Sequence, residues 1–91
     1  MKIIIADDSS LLRDRIKSLL NGLKEKLVLY EAENGVEALQ LIEDKKPDQA
    51  ILDIRMPEMN GIEVLKKVRE LKMKTLNSLS VVIFALLLTI Y

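Results

Sequence analysis

The chain has 91 residues, of which 49% are apolar and 31% are charged, a balance that suits one small folded domain. Fourteen basic and fourteen acidic residues give a formal net charge of zero, which offers no general attraction to nucleic acid or to an anionic membrane. The sequence has no Cys and no His, so disulfides, zinc clusters, thiol nucleophiles and imidazole bases are excluded. Asp, Glu, Ser, Thr and Lys are left to carry any chemistry.

The first third of the chain predicts a strand, a helix and a second strand. Residues 3–6 are apolar and mostly β-branched, as expected of a strand covered on both faces. The helix that follows stops at Asn21-Gly22, and residues 27–30 predict the second strand. The candidate helix N-caps are Asp8, Ser9 and Ser10. The predicted apolar face of this helix is Leu12, Ile16, Leu19, Leu20 and Leu23.

The rest of the chain continues this alternation. A second helix begins after the Asn34-Gly35 turn and ends before Pro47, with Val36, Leu39 and Ile42 on its apolar face. Residues 49–53 predict a third strand. The third helix carries Ile62, Leu65, Val68 and Leu71, and a long apolar run from residue 80 predicts a fourth strand. The order βαβαβαβ predicts a single α/β domain over residues 1–91, with a parallel sheet.

Three acidic residues follow the ends of predicted strands: Asp7 and Asp8 after strand 1, and Asp53 after strand 3. Ligands of open parallel sheets bind beyond the carboxyl ends of the strands, so these carboxylates converge if the two strands are neighbours. Clustered carboxylates repel one another and need a cation, and oxygen-only ligands favour Mg²⁺. Taken singly, Asp8 could be a helix cap and Asp53 a strand terminator. The joint pattern, with Pro57 and Gly61 following, favours chemistry.

The motifs resemble the receiver domain of two-component response regulators. The resemblance rests on IIIADDSS, EAENGVEAL and PDQAILDIRMPEMNGIEVLKKVR in this order, and it covers residues 1 to about 75. It implies a flavodoxin-like, doubly wound parallel sheet of strand order 2-1-3-4, to which the complete family fold adds helix 4, strand 5 and helix 5.

The resemblance also implies roles for single residues. Asp53 matches the phosphoacceptor, which becomes an aspartyl phosphate. Asp8 and Asp53 match direct carboxylate ligands of Mg²⁺, and Asp7 beside them acts through water. The third protein ligand in the family is a backbone carbonyl, which here belongs to Arg55. The residues that shape the loop and the start of the next helix are Pro57 and Gly61.

The carboxyl-terminal part of the chain departs from the family pattern. Receivers have a small hydroxyl residue at the end of strand 4 that bonds the phosphoryl group, whereas strand 4 here, residues 81–86, ends in Ala85 and Leu86. Thr89 is the nearby hydroxyl, but it lies about 10 Å further along a strand, and we do not assign it the switch role. The family's strand 5 Lys has no counterpart before Tyr91. We therefore expect an incomplete receiver, truncated before helix 4 and strand 5.

A fourth strand at the edge of the sheet would be long, flat and uncharged, which favours pairing with another chain. We expect a homodimer through residues 80–91, with apolar surface exposed where a last helix would lie. The expected dimer contacts are Val81, Ile83, Ala85 and Leu87.

Two alternatives concern the same segment. Membrane insertion is disfavoured because residues 81–90 are far fewer than the roughly 20 that span a bilayer. Truncation or a frame shift near Leu76 would explain the abrupt change in sequence.

Two functions fit these observations. The first is a stand-alone receiver, without enzyme activity beyond self-phosphorylation and self-dephosphorylation, that a sensor histidine kinase phosphorylates with Mg²⁺. The second is a degenerate, non-switching receiver that acts as an association module. The kept acidic residues favour the first, and the missing Lys and hydroxyl favour the second.

Family analogy places kinase docking on helix 1 near Leu11, Leu12 and Arg15. Too few apolar residues begin the chain for a signal peptide, so we expect a cytoplasmic location, with no nucleic acid and no membrane as partners.

Overall fold

The computed structural model describes residues 1–23, 26–72 and 80–84, with residues 71–72 and 80–84 described by their backbone alone. Seven elements follow one another in the predicted alternation. They are β1 (Lys2–Ala6), α1 (Ser10–Asn21), β2 (Val28–Ala32), α2 (Gly35–Lys45), β3 (Gln49–Asp53), α3 (Gly61–Lys72) and β4 (Ser80–Phe84). None of the helices formed by the described residues has the length and apolar content needed to cross a membrane.

The four strands form one parallel sheet in the order β2-β1-β3-β4, which confirms the predicted strand order. The central strand β1 pairs with β2 so that Ala6 lies opposite Ala32, and with β3 so that Ala6 lies opposite Leu52. On the other side of β3, Asp53 lies opposite Phe84 of β4. This register brings the residues that follow Ala6 and the last residue of β3 to the same edge of the sheet.

Helices cover both faces of the sheet, as the doubly wound fold requires. Alternate residues of β1 and β3 point to opposite faces, so Ile4 and Leu52 pack under α2 and α3, whereas Ile5 and Ile51 pack under α1. The first face holds the larger buried cluster, made of Ile4, Ala6, Ala32, Ala38, Ile42, Ala50, Leu52, Met56, Val64 and Val68. On the second face, Ile3, Ile5 and Ile51 are buried, with Ile16 and Leu20 of α1 packed on them.

The predicted apolar face of α1 was too wide. Ile16 and Leu20 contact the sheet, but Leu19 is 77% exposed and Leu23 is 55% exposed. Each step along a helix turns the side chain by about 100°, so Leu19 lies outside the stripe that faces the sheet. A charged residue, Arg13, occupies this stripe instead and is only 9% exposed.

Smaller corrections apply to the other elements. In α2 and α3, the predicted Ile42 and Val68 are buried, but the predicted Val36 and Ile62 are exposed, and Ala38 and Val64 are buried in addition. The second strand runs to Ala32 and not only to residue 30, since its pairing with β1 continues that far. The described part of β4 is Ser80–Phe84, and the predicted end of this strand at residue 86 lies outside the described residues.

Several predicted residues lie outside the described part of the chain. These are Ala85, Leu86, Leu87 and Thr89, whereas Val81 and Ile83 belong to β4 and are described by their backbone alone. The predicted dimer contacts and the predicted lack of a switch hydroxyl therefore remain predictions.

Candidate metal centre

The three predicted acidic residues meet at the carboxyl edge of the sheet. One carboxylate oxygen each from Asp7, Asp8 and Asp53 lies within 4.8 Å of the others. Asp7 and Asp53 are buried, at 2% and 3% exposure, and Asp8 is exposed. The cluster thus has two buried carboxylates and one that faces solvent, an arrangement that a ligand can approach from outside.

The turn between β1 and α1 fixes Asp7 through backbone contacts. The Asp7 amide donates to the carbonyl oxygen of Ala32 at 3.1 Å, and the Asp7 carboxylate accepts from the amide of Ser9 at 2.9 Å. The hydroxyl of Ser9 accepts from the amide of Leu12 at 3.3 Å and caps α1. Because Ser9 is the cap, Asp8 does not have this role, and its carboxylate belongs to the acidic cluster.

The turn after β3 holds Asp53 at the end of its strand. The Asp53 carboxylate accepts from the amide of Arg55 at 3.1 Å, which orients the side chain. The Gly61 amide donates to the carbonyl oxygen of Ile54 at 3.2 Å, closing the loop. A Cβ added to Gly61 would overlap the carbonyl oxygen of Asp53, so this position requires glycine. Pro57 lies exposed in the same loop.

The start of α3 has a reciprocal cap that the sequence analysis missed. Asn60 accepts from the amide of Glu63 at 2.9 Å, and Glu63 accepts from the amide of Asn60 at 3.1 Å. This is the capping-box arrangement, which satisfies two free amides of the first turn. An Asn followed three positions later by Glu, just before an apolar helix face, was the signal in the sequence.

Burial and mutual repulsion disfavour ionisation of the two buried acids. Burial and, to a smaller extent, the charges of Asp53 and Asp8 raise the pKa of Asp7 to about 6, against the opposing effect of the Ser9 amide. Burial likewise raises the pKa of Asp53, which the Arg55 amide lowers and the Asp8 charge raises. The ion pairs found among the described residues involve none of these three carboxylates.

This donor set fits a divalent cation. All three groups offer oxygen, their ligand atoms are close together, and none of them forms an ion pair with a cationic side chain of the described residues. Hard oxygen ligands with space for water suit Mg²⁺. Arg55 contributes its amide to Asp53, and its carbonyl lies in the same turn, two residues after the strand end.

A buried cation, Arg13, lies next to this site. The Arg13 guanidinium donates through Nη1 to the backbone carbonyl of Asp7 and through Nε to Glu31 of β2 at 2.9 Å. Lys17, one helical turn later, donates to the same Glu31 carboxylate at 2.8 Å. The available signal was the position of Arg13, three residues before Ile16, on the stripe of α1 that faces the sheet.

Comparison with known proteins identifies the family. Residues 3–86 match the family described as the response regulator receiver domain. The transcriptional regulatory protein YhcZ of Bacillus subtilis is 43% identical over 67 residues, a match that covers 74% of this chain and 31% of YhcZ.

Solved structures lead to the same fold. The response regulator domain of Thermotoga maritima CheB superposes with a TM-score of 0.77 at 31% identity, over 91% of this chain and 58% of that one. A DNA-binding response regulator of the LuxR family from Staphylococcus aureus superposes with a TM-score of 0.76 at 34% identity, over 90% of this chain and 65% of that one. This chain therefore spans less than two thirds of each of these proteins. The match to the family over residues 3–86, together with the flavodoxin-like fold, shows that the chain belongs to the response regulator receiver domain family.

Proposed function

We propose that this receiver accepts a phosphoryl group on Asp53 from a sensor histidine kinase, with Mg²⁺ held directly by Asp8, Asp53 and the backbone carbonyl of Arg55, and through water by Asp7. The observation that carries this proposal is the convergence of three carboxylate oxygens within 4.8 Å at the carboxyl edge of the sheet. A purely structural role does not explain two buried acids that form no ion pair with a described cation, because such groups destabilise a fold.

Asp53 is the best placed nucleophile of the three. It ends a buried strand, and the Arg55 amide holds one side of its carboxylate. A carboxylate oxygen of Asp53 attacks phosphorus and forms an O–P bond, while the N–P bond of the phosphohistidine breaks and its electron pair leaves on the imidazole nitrogen. Attack of water on the aspartyl phosphate returns the carboxylate and releases inorganic phosphate.

The neighbouring groups divide the remaining tasks. When bound, Mg²⁺ supplies positive charge that offsets the carboxylates and the oxygens of the transferring phosphoryl group. Asp8 faces solvent, which leaves an open side from which a phosphoryl donor can approach. Asp7 is buried between β1 and α1, so it acts through water or through its charge.

The kinase is expected to dock near the start of α1. Leu11 is 59% exposed and follows the acidic turn by three residues, and Arg15 is exposed one turn later. An apolar side chain beside the entrance to the site offers contact area to a helical partner. Substituting Leu11 should weaken phosphotransfer from a kinase without weakening reaction with a small donor.

Intact mass after incubation with acetyl phosphate tests the phosphoacceptor. We expect a Mg²⁺-dependent gain of one phosphoryl group in the wild type and no gain in Asp53→Asn. The matched control is Asp44→Asn, an exposed Asp on α2, which should behave as the wild type. No gain in folded wild-type protein, or an equal gain in Asp53→Asn, would contradict the proposal.

Self-association through residues 80–91 is the second candidate function. The observation that favours it is the sheet order, which places β4 beside β3 at one end of the described sheet. Sedimentation at micromolar concentration tests it: a dimer supports the proposal, and a monomer refutes it.

A further inference from the structure

A network of charged side chains connects the acidic cluster to β2. Arg13 is 9% exposed, and its guanidinium contacts two groups at once, the backbone carbonyl of Asp7 and the carboxylate of Glu31. Glu31 also accepts from Lys17 at 2.8 Å, so its carboxylate lies between two cations of α1. Burying an arginine is costly unless its donors form hydrogen bonds. Here one of the acceptors is the carbonyl of Asp7, a residue of the candidate site.

The contact to Asp7 bears directly on the geometry of the site. The carbonyl that Arg13 holds belongs to the peptide group joining Asp7 to Asp8, so its orientation sets the directions in which the two side chains leave the backbone. Asp7 is also held through its amide by Ala32 and through its carboxylate by Ser9. Arg13 supplies a hydrogen bond to the carbonyl of the following peptide group, the one that leads into Asp8.

We propose that Arg13 is a positioning residue for the divalent cation, holding the Asp7–Asp8 peptide in the orientation that lets Asp8 reach the ion directly and Asp7 reach it through water, with Glu31 orienting the guanidinium. This inference rests on the proposed function, since it concerns the same metal centre. Groups that orient metal ligands through hydrogen bonds typically change metal affinity by about 10- to 100-fold when they are removed.

Simple electrostatics predicts the opposite result, which makes the inference testable. A positive charge near a cation site repels the cation, so deleting that charge should strengthen binding. Positioning predicts that deleting Arg13 weakens binding. Lys17 is the matched control because it is also a cation of α1 bound to Glu31, but it makes none of the hydrogen bonds found on Asp7.

The experiment is a calorimetric titration of Mg²⁺ into the wild type, Arg13→Met, Arg13→Lys and Lys17→Met, with phosphoryl donor absent and well below each melting temperature. We expect the affinity of Arg13→Met to fall about tenfold or more, and that of Lys17→Met to stay equal or rise slightly. Arg13→Lys keeps the charge but lacks the planar fork that holds two acceptors, so its affinity should fall as well.

Each outcome has a distinct meaning. Wild-type affinity in folded Arg13→Met, or tighter binding in it, overturns the inference and leaves the proposed metal centre intact. Failure of the wild type to bind Mg²⁺ overturns the metal centre and the inference with it. Should Arg13→Met not fold, Arg13→Lys decides alone, because it preserves the charge: reduced affinity supports positioning, and unchanged affinity overturns it.

Discussion

Burial of side chains has opposite effects on stability in the middle of the sheet and at its carboxyl edge. Leu52 and Asp53 are neighbours in β3 and are almost equally buried, at 0% and 3% exposure. Removing Leu52 from water stabilises the fold, whereas removing the Asp53 carboxylate from water opposes its ionisation and raises its pKa. A single strand thus supplies stability at one residue and a destabilising group at the next.

Part of the backbone at the carboxyl edge is also in an unfavourable conformation. Glu58, in the loop after β3, has a φ of 67°, a conformation that favours glycine or asparagine. The first residue of α2, Gly35, approaches the same loop so closely that an added Cβ would overlap the carbonyl of Met59. Such local costs persist where the surrounding fold is stable enough to impose them, and they concentrate at functional sites. The comparison therefore predicts opposite effects of substitutions in the two regions.

The largest effect is expected in the middle of the sheet. Leu52→Ala should lower the free energy of unfolding by roughly 2–5 kcal/mol, because it removes buried methyl groups and leaves a cavity under α2 and α3. Urea unfolding without Mg²⁺ measures the change. Leu19→Ala, at a residue 77% exposed, is the control and should change stability by less than about 0.5 kcal/mol. Equal losses in both variants would contradict the assigned core.

A substitution at the carboxyl edge should instead increase the stability of the fold. Asp7→Asn removes a buried charge while keeping the shape of the side chain, so without Mg²⁺ at pH 7.5 it should raise the free energy of unfolding by about 1–3 kcal/mol. Asp44→Asn, on the exposed side of α2, should have little effect. Saturating Mg²⁺ should stabilise the wild type more than it stabilises Asp7→Asn. A loss of stability in Asp7→Asn without Mg²⁺ would show that its hydrogen bonds outweigh its charge.

The stability of the wild type should depend on pH, because ionising the buried Asp7 carboxylate destabilises the fold. Between pH 3.8 and about 6 the folded chain retains a proton on Asp7 that the unfolded chain releases, so stability falls as the pH rises through this window. Without Mg²⁺, we expect the free energy of unfolding to be about 1 kcal/mol higher at pH 5 than at pH 7.5. The lowered pKa of Glu31 acts in the opposite direction, but its contribution is lost only as the pH falls below the ordinary value of 4.5. Stability that rises steadily from pH 5 to 7.5 would refute this.

The smallest effect is expected from the backbone of the edge. Glu58→Gly should raise the free energy of unfolding by about 0.5–1 kcal/mol, because glycine adopts a positive φ without steric cost. The same change at Glu43, an exposed residue within α2, should lower stability by about 1 kcal/mol. Thermal unfolding of both variants distinguishes a position-specific gain from a general effect of glycine, and a loss at both positions would contradict the reported conformation of Glu58.

Much of the fold could be predicted because the pattern of this chain is locally consistent. Short apolar runs separated by amphipathic stretches indicated the element order, and residues 49–53 were assigned to the third strand with the bounds that the structure has. The convergence of the three acids followed from strand ends in a parallel sheet. The faces of the helices were less predictable, since Leu19 and Ile62 are apolar and yet exposed.

Periodicity places Arg13 on the stripe of α1 that faces the sheet, but it does not predict the contacts of this residue. A charged residue is assigned to the surface by default, and the partner that makes its burial tolerable, Glu31, lies on β2, 18 residues away. The choice of Ser9 over Asp8 as the cap was also open in the sequence, because both residues cap helices well. Only the three-dimensional contacts decide such cases.

The central position of β1 has a consequence for biosynthesis. Its partners on either side begin at Val28 and Gln49, so β1 leaves the ribosome before either of them, and parallel pairs cannot close through a tight hairpin. A nascent chain that ends before β3 holds its Ile-rich first strand with one edge unpaired, which is a surface that chaperones recognise. Asp53 is the last residue of the strand that completes this pairing, so a chain able to present its acidic cluster has already formed the centre of its sheet.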